Sequence, residues 1–228
     1  KKSCDCYFYD LAKRIDIDEL SNFSKKFTIG NKSGIDIPNE LSGIMPNRMW
    51  KKKNRSEKWQ KGETLNTVIG QGFVLSTPLQ IALMTARIAT GNKITPSIIY
   101  SKKTTFEKLD ISKESLRFIR ESMFSVVNNF EGTAFKSRLS AKSKMAGKTG
   151  TSQVRKISLE ERETGVLKNE ELNYKLRDHS IFTAYAPYNS PKFAISIVAE
   201  HMGNGSKVAA PIAKRIMEVL LKKYLKYV

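Results

Sequence analysis

The run Ser-Lys-Met-Ala-Gly-Lys-Thr-Gly-Thr-Ser-Gln-Val occupies positions 143–154 of this 228-residue chain and is its most informative part. Its residues are small or polar, and they are typical of a β-strand that packs closely against another chain. Gly147 and Gly150 leave room for that approach because they carry no side chain. The sequence therefore predicts a strand with the tetrapeptide Lys148-Thr149-Gly150-Thr151 at its centre.

A phosphate-binding P-loop is an alternative interpretation of Gly147-Lys148-Thr149. That loop needs a second glycine five residues before the first, so that backbone amides can surround a phosphate. Position 142 is a lysine. The alternative is therefore excluded.

The segments that follow the tetrapeptide predict a sheet. His179–Pro187 and Lys192–His201 are two further strands, and the Tyr-Asn-Ser-Pro turn at positions 188–191 joins them into a hairpin. Residues 208–227 predict a closing helix, since apolar side chains recur every three to four positions. These side chains are Val208, Ile212, Ile216, Val219 and Leu220. This order predicts an α+β fold in which helices flank an antiparallel sheet.

Helices are predicted before the tetrapeptide. Leu11–Phe27 is amphipathic, and Ser112–Asn129 carries an apolar face. A third helix begins at the N-cap Thr77, with Pro78 in its first turn and a capping-box glutamine, and ends near Gly91. The charged segment 156–175 predicts a mobile excursion at the mouth of a cleft.

The organisation predicted from these segments is one partial domain over residues 1–228. It comprises a helical and loop portion over about 1–140, a sheet portion over about 141–202 and a C-terminal helix over about 206–226. A chain of this length can bury a substantial core. It contains no run of 18 apolar residues, so we predict no membrane-spanning segment within it.

The chain is strongly basic, with 40 Lys and Arg against 22 Asp and Glu and a net charge of +18. Nucleic-acid binding is one explanation of such an excess, but no nucleic-acid-binding motif accompanies it. The densest run, Lys51-Lys52-Lys53-Asn54-Arg55, lies near Trp50 and Trp59 and predicts a loop. Its interpretations are a solvated surface, contact with anionic lipid headgroups and biased base composition in the gene.

Cysteine and histidine are too sparse to indicate a metal site. Cys4 and Cys6 are two positions apart and point to different sides of a helix or strand, so a disulfide between them is not expected. We predict that both are small residues near the start of a buried helix. His179 and His201 are the chain's two histidines, and we interpret His179 as structural.

Short motifs along the chain resemble one family when they are taken in order. They are Ser3-Cys4-Asp5, Thr67-Val-Ile-Gly-Gln-Gly72, Thr77-Pro-Leu-Gln80, Gly132-Thr-Ala134, Lys148-Thr-Gly-Thr151, Arg177-Asp-His179, Thr183-Ala-Tyr-Ala-Pro-Tyr-Asn189 and the glycine pair around Asn204. Together they resemble the C-terminal part of the transpeptidase domain of the penicillin-binding protein 2 family, the class B enzymes of bacterial cell elongation. The resemblance covers nearly the whole chain.

The resemblance implies a fold and a reaction. The fold is the one shared by serine β-lactamases and D,D-peptidases, with its N-terminal part missing here. The reaction is peptidoglycan D,D-transpeptidation, in which stem peptides are cross-linked through a serine acyl-enzyme that β-lactams trap. Some members of the family bind zinc near the position of Cys4, so the resemblance leaves open a metal role for Cys4 with its other ligands upstream. No cofactor or metal site is expected within the chain itself.

The resemblance also assigns residues to the reaction. Ser3 resembles the serine that relays a proton toward the leaving amine, and Lys148 would place a positive charge beside it. Asp5 stands where most relatives have asparagine, and it would hydrogen-bond a lysine or the substrate amide. An anionic Asp5 would raise the pKa of a neighbouring lysine and make it a poorer neutral base, which leaves its exact role open.

The rest of the tetrapeptide is expected to bind substrate. Thr149 would offer its hydroxyl to the substrate's terminal carboxylate. Gly150 would let the substrate backbone lie against the strand edge as an added strand. Thr151 would supply one backbone N–H of the oxyanion hole.

The nucleophile of the family is absent from this sequence. No serine here is followed three residues later by lysine, so the Ser-x-x-Lys motif is not present. We therefore expect a fragment that is inactive alone. By resemblance, the full-length form would have an N-terminal membrane anchor, lie at the periplasmic face of the plasma membrane and work with a SEDS-family glycosyltransferase in the elongation complex.

Three other functions remain possible from the sequence. The chain could be a non-catalytic remnant that only binds partners, or a basic nucleic-acid-binding domain, although no nucleic acid is expected as a partner. A β-lactamase shares the fold, but the stretch from Thr67 to Ala89 and the turn around Pro187 favour the elongation transpeptidase.

Overall fold

The computed structural model describes residues 1–99, 105–139 and 143–225, which divide into two compact units. We call them the motif unit, Lys1 with Arg120–Val228, and the helical unit, Lys2–Ile119. The boundary falls inside one helix, between Ile119 and Arg120. The prediction of one partial domain stays a prediction.

The described residues of the helical unit are mainly helical. The helices are α1 (Asp5–Ala12), α2 (Ile17–Lys25), α3 (Arg48–Arg55), α4 (Lys61–Val68), α5 (Pro78–Thr90) and the start of α6 (Lys113–Asn128). The predicted continuous helix over Leu11–Phe27 is wrong. The chain leaves helical geometry at Asp16, whose carboxylate accepts the backbone N–H groups of Asp18 and Glu19 and caps α2.

Helix α5 confirms the predicted capping box. The Thr77 hydroxyl accepts the N–H of Gln80, and the Gln80 side chain accepts the N–H of Thr77. The helix ends at Gly91, whose φ of 74° is left-handed. Local sequence alone determines both of these ends.

The basic run 51–55 was predicted as a loop, and this prediction is wrong. The Asn47 side chain accepts the N–H of Trp50 and caps α3, which contains the whole run. Lys51 is only 2% exposed, and its Nζ lies 2.5 Å from Glu63 Oε1 and 3.2 Å from Glu57 Oε2. Since this ammonium group is buried and paired, it is not part of an open cationic surface.

The motif unit contains the three predicted strands. They are β1 (Ala146–Ser152), β2 (His179–Ala186) and β3 (Phe193–Ala199), and they form one antiparallel sheet in the order β1-β2-β3. Between β1 and β2 the chain forms the short helix α7 (Leu159–Thr164) and two 3-10 turns. Helix α8 (Ala209–Leu225) confirms the predicted closing helix, whose final residues 226–227 lie outside the described residues.

The core of the motif unit lies between its sheet, the end of α6 and α8. It combines large apolar side chains with alanines, which let the helix approach the strands closely. Its buried members are Val126, Val127, Ala134, Leu139, Met145, Phe182, Ala184, Ala186, Ala209, Ala210, Ala213, Met217 and Leu221. This packing fixes β2, and through β2 it fixes the register of β1.

The two cysteines are exposed, so the prediction that they are buried is wrong. They are free thiols, which confirms that no disulfide joins them. Within residues 1–99, 105–139 and 143–225, no helix has the length and apolar character needed to cross a bilayer.

Candidate active site

The tetrapeptide lies in the middle of β1, which is an edge strand of the sheet within the described residues. Its register with β2 pairs Lys148 with Thr183, Thr149 with Phe182, Gly150 with Ile181 and Thr151 with Ser180. An edge strand has one row of backbone groups that does not belong to the sheet's own ladder. The fold thus places the tetrapeptide where an extended peptide can add to the sheet.

Glycines allow neighbouring segments to pack closely against this strand. A Cβ on Gly147 would lie 2.6 Å from both Phe182 Cζ and the Thr183 carbonyl oxygen. A Cβ on Gly205 would collide with the carbonyl oxygens of Gly150 and Ile181. The loop before α8 therefore packs directly onto the backbone of the tetrapeptide, and only glycine permits that contact.

Ser180 holds this loop in place. It is fully buried, and its hydroxyl donates to the Asn204 carbonyl over 3.1 Å and accepts the N–H of Ala209 over 3.0 Å. The same residue pairs with Thr151 across the sheet. One side chain therefore connects the tetrapeptide strand, the glycine loop and the start of α8.

The Lys148 ammonium group is kept close to its own strand. Its Nζ donates to the carbonyl oxygen of Thr149 over 2.7 Å, and the residue is half-buried. A half-buried cation polarises its surroundings more strongly than one in bulk water. This position suits the attraction of an anionic substrate group to the strand.

The Thr149 hydroxyl lies 2.9 Å from the Thr133 hydroxyl, and either oxygen can be the donor. Thr133 belongs to the Gly132-Thr-Ala134 motif, which follows α6 in the same unit. The sequence provided this motif only as part of a resemblance and did not indicate its neighbour. Position 132 requires a glycine, because a Cβ there would lie 2.5 Å from the Ser125 carbonyl oxygen, but a single glycine does not indicate which residue Thr133 contacts.

Tyr185, three residues beyond the partner of Thr149 on β2, is fully buried. Burial raises the pKa of its hydroxyl, with the neighbouring Tyr188 acting in the same direction. The phenol therefore stays neutral over the physiological range. It contributes packing to the sheet.

Ser3 and Asp5 lie in the helical unit. Ser3 is exposed, with a left-handed φ of 53°, and Asp5 is the first residue of α1. A carboxylate in a first helical turn interacts favourably with the helix dipole. The tetrapeptide belongs to the other unit, so the predicted pairing of Ser3 and Asp5 with Lys148 stays a prediction.

His179 is the first residue of β2 and pairs with Ser152 at the end of β1. Its Nδ1 accepts the backbone N–H of His201 over 2.9 Å, and the two imidazole rings meet edge to face with centroids 4.6 Å apart. These contacts support the structural interpretation of His179. Within the described residues, no group of three or more His, Cys, Asp or Glu side chains is arranged to hold a metal ion.

Comparison with known families identifies this arrangement. Residues 1–218 match the penicillin binding protein transpeptidase domain. The chain belongs to this transpeptidase family. Similar curated proteins and solved structures confirm the predicted α+β transpeptidase fold and the resemblance to penicillin-binding protein 2.

Curated relatives of this transpeptidase family include the peptidoglycan D,D-transpeptidase MrdA of Haemophilus influenzae, which is 36% identical over 98% of this chain and 36% of its own length. The MrdA of Escherichia coli strain K12 is 34% identical over 97% of this chain and 36% of its own length. The chain thus spans about a third of the length of these relatives.

Solved structures of the same family share the fold. The penicillin-binding protein PBP2 of Helicobacter pylori, in its complex with MreC, has a TM-score of 0.83 and 36% identity over 98% of this chain and 39% of that one. Pseudomonas aeruginosa PBP2, solved in complex with WCK 5153, has a TM-score of 0.79 and 33% identity over 96% of this chain and 47% of that one.

Proposed function

We propose that this chain forms the substrate-binding part of a peptidoglycan D,D-transpeptidase that binds penicillin. The observation that carries the proposal is the Lys148–Thr151 tetrapeptide on an edge strand, in a chain that belongs to the penicillin-binding transpeptidase family. Along this strand the Lys148 ammonium group, the Thr149 hydroxyl and the backbone of Gly150, which has no side chain, follow one another. Together they can bind the C-terminal end of a stem peptide. β-Lactams would bind at the same strand.

The tetrapeptide would orient the substrate for acyl transfer. Lys148 attracts the terminal carboxylate, and the Thr149 hydroxyl donates to it. The substrate backbone lies along Gly150, where no side chain obstructs it. The backbone N–H of Thr151 then stabilises the oxyanion that forms when a serine attacks the scissile carbonyl.

The attacking serine would come from a segment outside these 228 residues, because no Ser-x-x-Lys motif occurs among them. A serine hydroxyl needs an adjacent base to become a nucleophile at neutral pH. Ser3 would relay the proton to the leaving amine, and Asp5 would orient a lysine or the substrate amide. The released product is the terminal amino acid, and the acyl group passes to an acceptor amine.

The cellular setting is also a proposal. The complex of a solved relative with MreC supports a protein partner from the elongation machinery, and we propose a SEDS-family glycosyltransferase as a second partner. The relatives' role in peptidoglycan synthesis supports a location at the periplasmic face of the plasma membrane.

Labelling with fluorescent penicillin tests the proposal. The full-length protein that contains this chain should form a stable acyl adduct, and the isolated 228 residues should not. Lys148→Ala in the full-length protein should slow acylation by roughly a hundredfold, because it removes a charge that the reacting complex needs. Acylation at the wild-type rate in this variant would show that the tetrapeptide has another role.

Lys192→Ala is the matched control. Lys192 is exposed in the turn between β2 and β3, and its substitution removes the same charge from the same unit. We expect the control to be acylated like the wild type. An equal loss in both variants would indicate a general effect of charge and would contradict the specific role of Lys148.

A further inference from the structure

The Gly132-Thr-Ala134 motif has a contact that the proposed function does not use. The Thr133 and Thr149 hydroxyl oxygens lie 2.9 Å apart, which is a normal distance for a hydrogen bond between two hydroxyls. Thr149 is the residue proposed to bind the substrate carboxylate. The direction in which the Thr149 hydroxyl proton points therefore determines how well Thr149 binds an anion.

The backbone on either side of Thr133 is hydrogen-bonded to the end of α6. The N–H of Ala134 donates to the Val126 carbonyl over 3.0 Å, and the N–H of Gly132 donates to the Asn129 carbonyl over 2.8 Å. Ala134 is buried in the core of the motif unit. Gly132 is pressed against the carbonyls at the end of α6, where a Cβ would collide with the Val126 carbonyl oxygen. Thr133 is thus anchored on both sides.

The β-branched side chain of Thr133 further restricts where its hydroxyl can lie. A β-branched residue has few allowed χ1 rotamers, so an anchored backbone leaves its hydroxyl little freedom. Thr149 is β-branched as well, and its backbone is fixed by its pairing with Phe182, which is buried. Two constrained hydroxyls from different elements therefore face each other across one hydrogen bond.

The chemistry of an occupied site selects one direction for this hydrogen bond. A hydroxyl has one proton to donate and two lone pairs to accept with. If Thr149 donated to Thr133, it would have no proton left for a carboxylate. If Thr133 donates instead, the Thr149 proton is released toward the anion, and the two hydrogen bonds in series strengthen each other.

We propose that Thr133 is a positioning residue for anion binding: its hydroxyl donates to Thr149 Oγ1 and so directs the Thr149 O–H toward the substrate carboxylate. Thr133 acts through Thr149 and does not touch the reacting atoms. The inference rests on the proposed function, since it requires a carboxylate ligand at Thr149. It adds to that function a residue outside the tetrapeptide that determines affinity for anionic acyl donors.

A double-mutant cycle on the full-length protein tests this inference. The readout is the second-order rate constant for acylation by benzylpenicillin, which carries a carboxylate. Thr133→Val removes the hydroxyl but keeps the branched shape, and we expect it to slow acylation about three- to tenfold. Thr133→Ser keeps the hydroxyl and should stay within about twofold of the wild type.

The decisive comparison is made in a Thr149→Val background. There Thr133→Val should change the rate by less than about twofold, because the residue through which it acts no longer has a hydroxyl. The same fold loss in both backgrounds would overturn the inference and assign Thr133 a purely structural role. A wild-type rate for Thr133→Val alone would overturn it too. If Thr133→Val does not fold, Thr133→Ala replaces it in both backgrounds.

The failure of this inference differs from a failure of the proposed function. If the wild-type protein is not acylated at all, the proposed function is wrong and the inference falls with it. If the wild type is acylated and Thr133→Val shows no coupling to Thr149, only the inference is wrong.

Discussion

The two units hold their functional segments in opposite ways. In the motif unit, the tetrapeptide strand is surrounded by small residues, and the loop before α8 packs onto it through Gly205. In the helical unit, long polar side chains reach across the structure and hold loops by their carbonyl groups. Gln80 is the clearest case, since it is fully buried and its Nε2 lies within hydrogen-bond distance of three separate backbone carbonyl oxygens.

This contrast shows what each kind of site requires. The proposed binding of a substrate backbone to this strand would need open space on its free edge and close packing behind it, and glycine and serine suit both. Loops without a sheet need partners for their backbone groups, and a long amide side chain provides several at once. The tetrapeptide strand should therefore be sensitive to added atoms, and the loops that Gln80 holds should be sensitive to removed ones.

The largest effect is expected where atoms are added behind the tetrapeptide. Gly205→Val would press a side chain onto the carbonyl oxygens of Gly150 and Ile181. Because these are backbone atoms in a paired strand, they cannot move aside as a flexible side chain can. We expect a loss of roughly 3 kcal/mol in the free energy of unfolding, measured by urea denaturation of the full-length protein.

Gly62→Ala is the control for this substitution. Gly62 lies in α4, and a Cβ there would meet nothing within 4 Å. Alanine should stabilise the helix by about 0.5–1 kcal/mol, because glycine loses more backbone entropy on folding. If Gly205→Val were as well tolerated as Gly62→Ala, the idea that the motif unit depends on small residues would be wrong.

The next effect is expected where a long polar side chain is removed. Gln80 Nε2 lies 3.0, 2.6 and 2.7 Å from the carbonyl oxygens of Thr28, Asn31 and Ser42. Gln80→Leu keeps the bulk but leaves these carbonyls without that donor, and we expect a loss of about 2 kcal/mol. Amide hydrogen exchange should then rise in the loop from position 28 to position 43.

Thr77→Ala separates the two roles of Gln80. It removes the hydroxyl that accepts the Gln80 N–H and so weakens only the cap of α5, at a cost of about 1 kcal/mol. Exchange should then rise at the start of α5 and stay unchanged in the loop. If both variants behaved alike, the loop would not depend on the Gln80 amide.

The sequence predicted the motif unit well because its signals are local. β2 and β3 are short, largely apolar strands that flank a turn, whereas β1 is small and polar and is indicated by its motif and its glycines. All three lie within a few residues of the predicted bounds. The capping box at Thr77 was predictable for the same reason. The break between α1 and α2 was not predictable in this way, because it depends on a single capping residue, Asp16, in the middle of an amphipathic run.

The parts that could not be predicted depend on distant partners. The sequence places Lys51 in a solvated basic run, and its ion pairs with Glu57 and with Glu63, twelve residues later, explain why it is buried. Thr133 and Thr149 are sixteen residues apart, and no local pattern indicates that their hydroxyls meet. The tetrapeptide itself was predictable from its motif, but the groups that position it were not.

The smallest effect concerns charge at the junction of α2 and α3 in the helical unit. Arg48 donates to Asp16, and this pairing lowers the pKa of the Asp16 carboxyl to about 2. The group is exposed, so screening by solvent and salt limits the contribution of the pair to stability. Asp16→Asn is the test, because an asparagine oxygen can still accept the N–H groups at the start of α2 while the charge is lost.

The sign of the pH dependence follows from the direction of the shift. A carboxyl whose pKa is lowered on folding stabilises the protein above its unfolded pKa of about 3.9, and this contribution is lost as the pH falls toward about 2. The wild type should therefore be slightly more stable than Asp16→Asn above pH 5, and the two should converge near pH 2. The difference should also shrink in 1 M salt. A gap between the two melting curves that stayed constant from pH 6 to pH 2 would mean that Asp16 acts only as a helix cap, and that charge plays no part in how the helical unit holds α3.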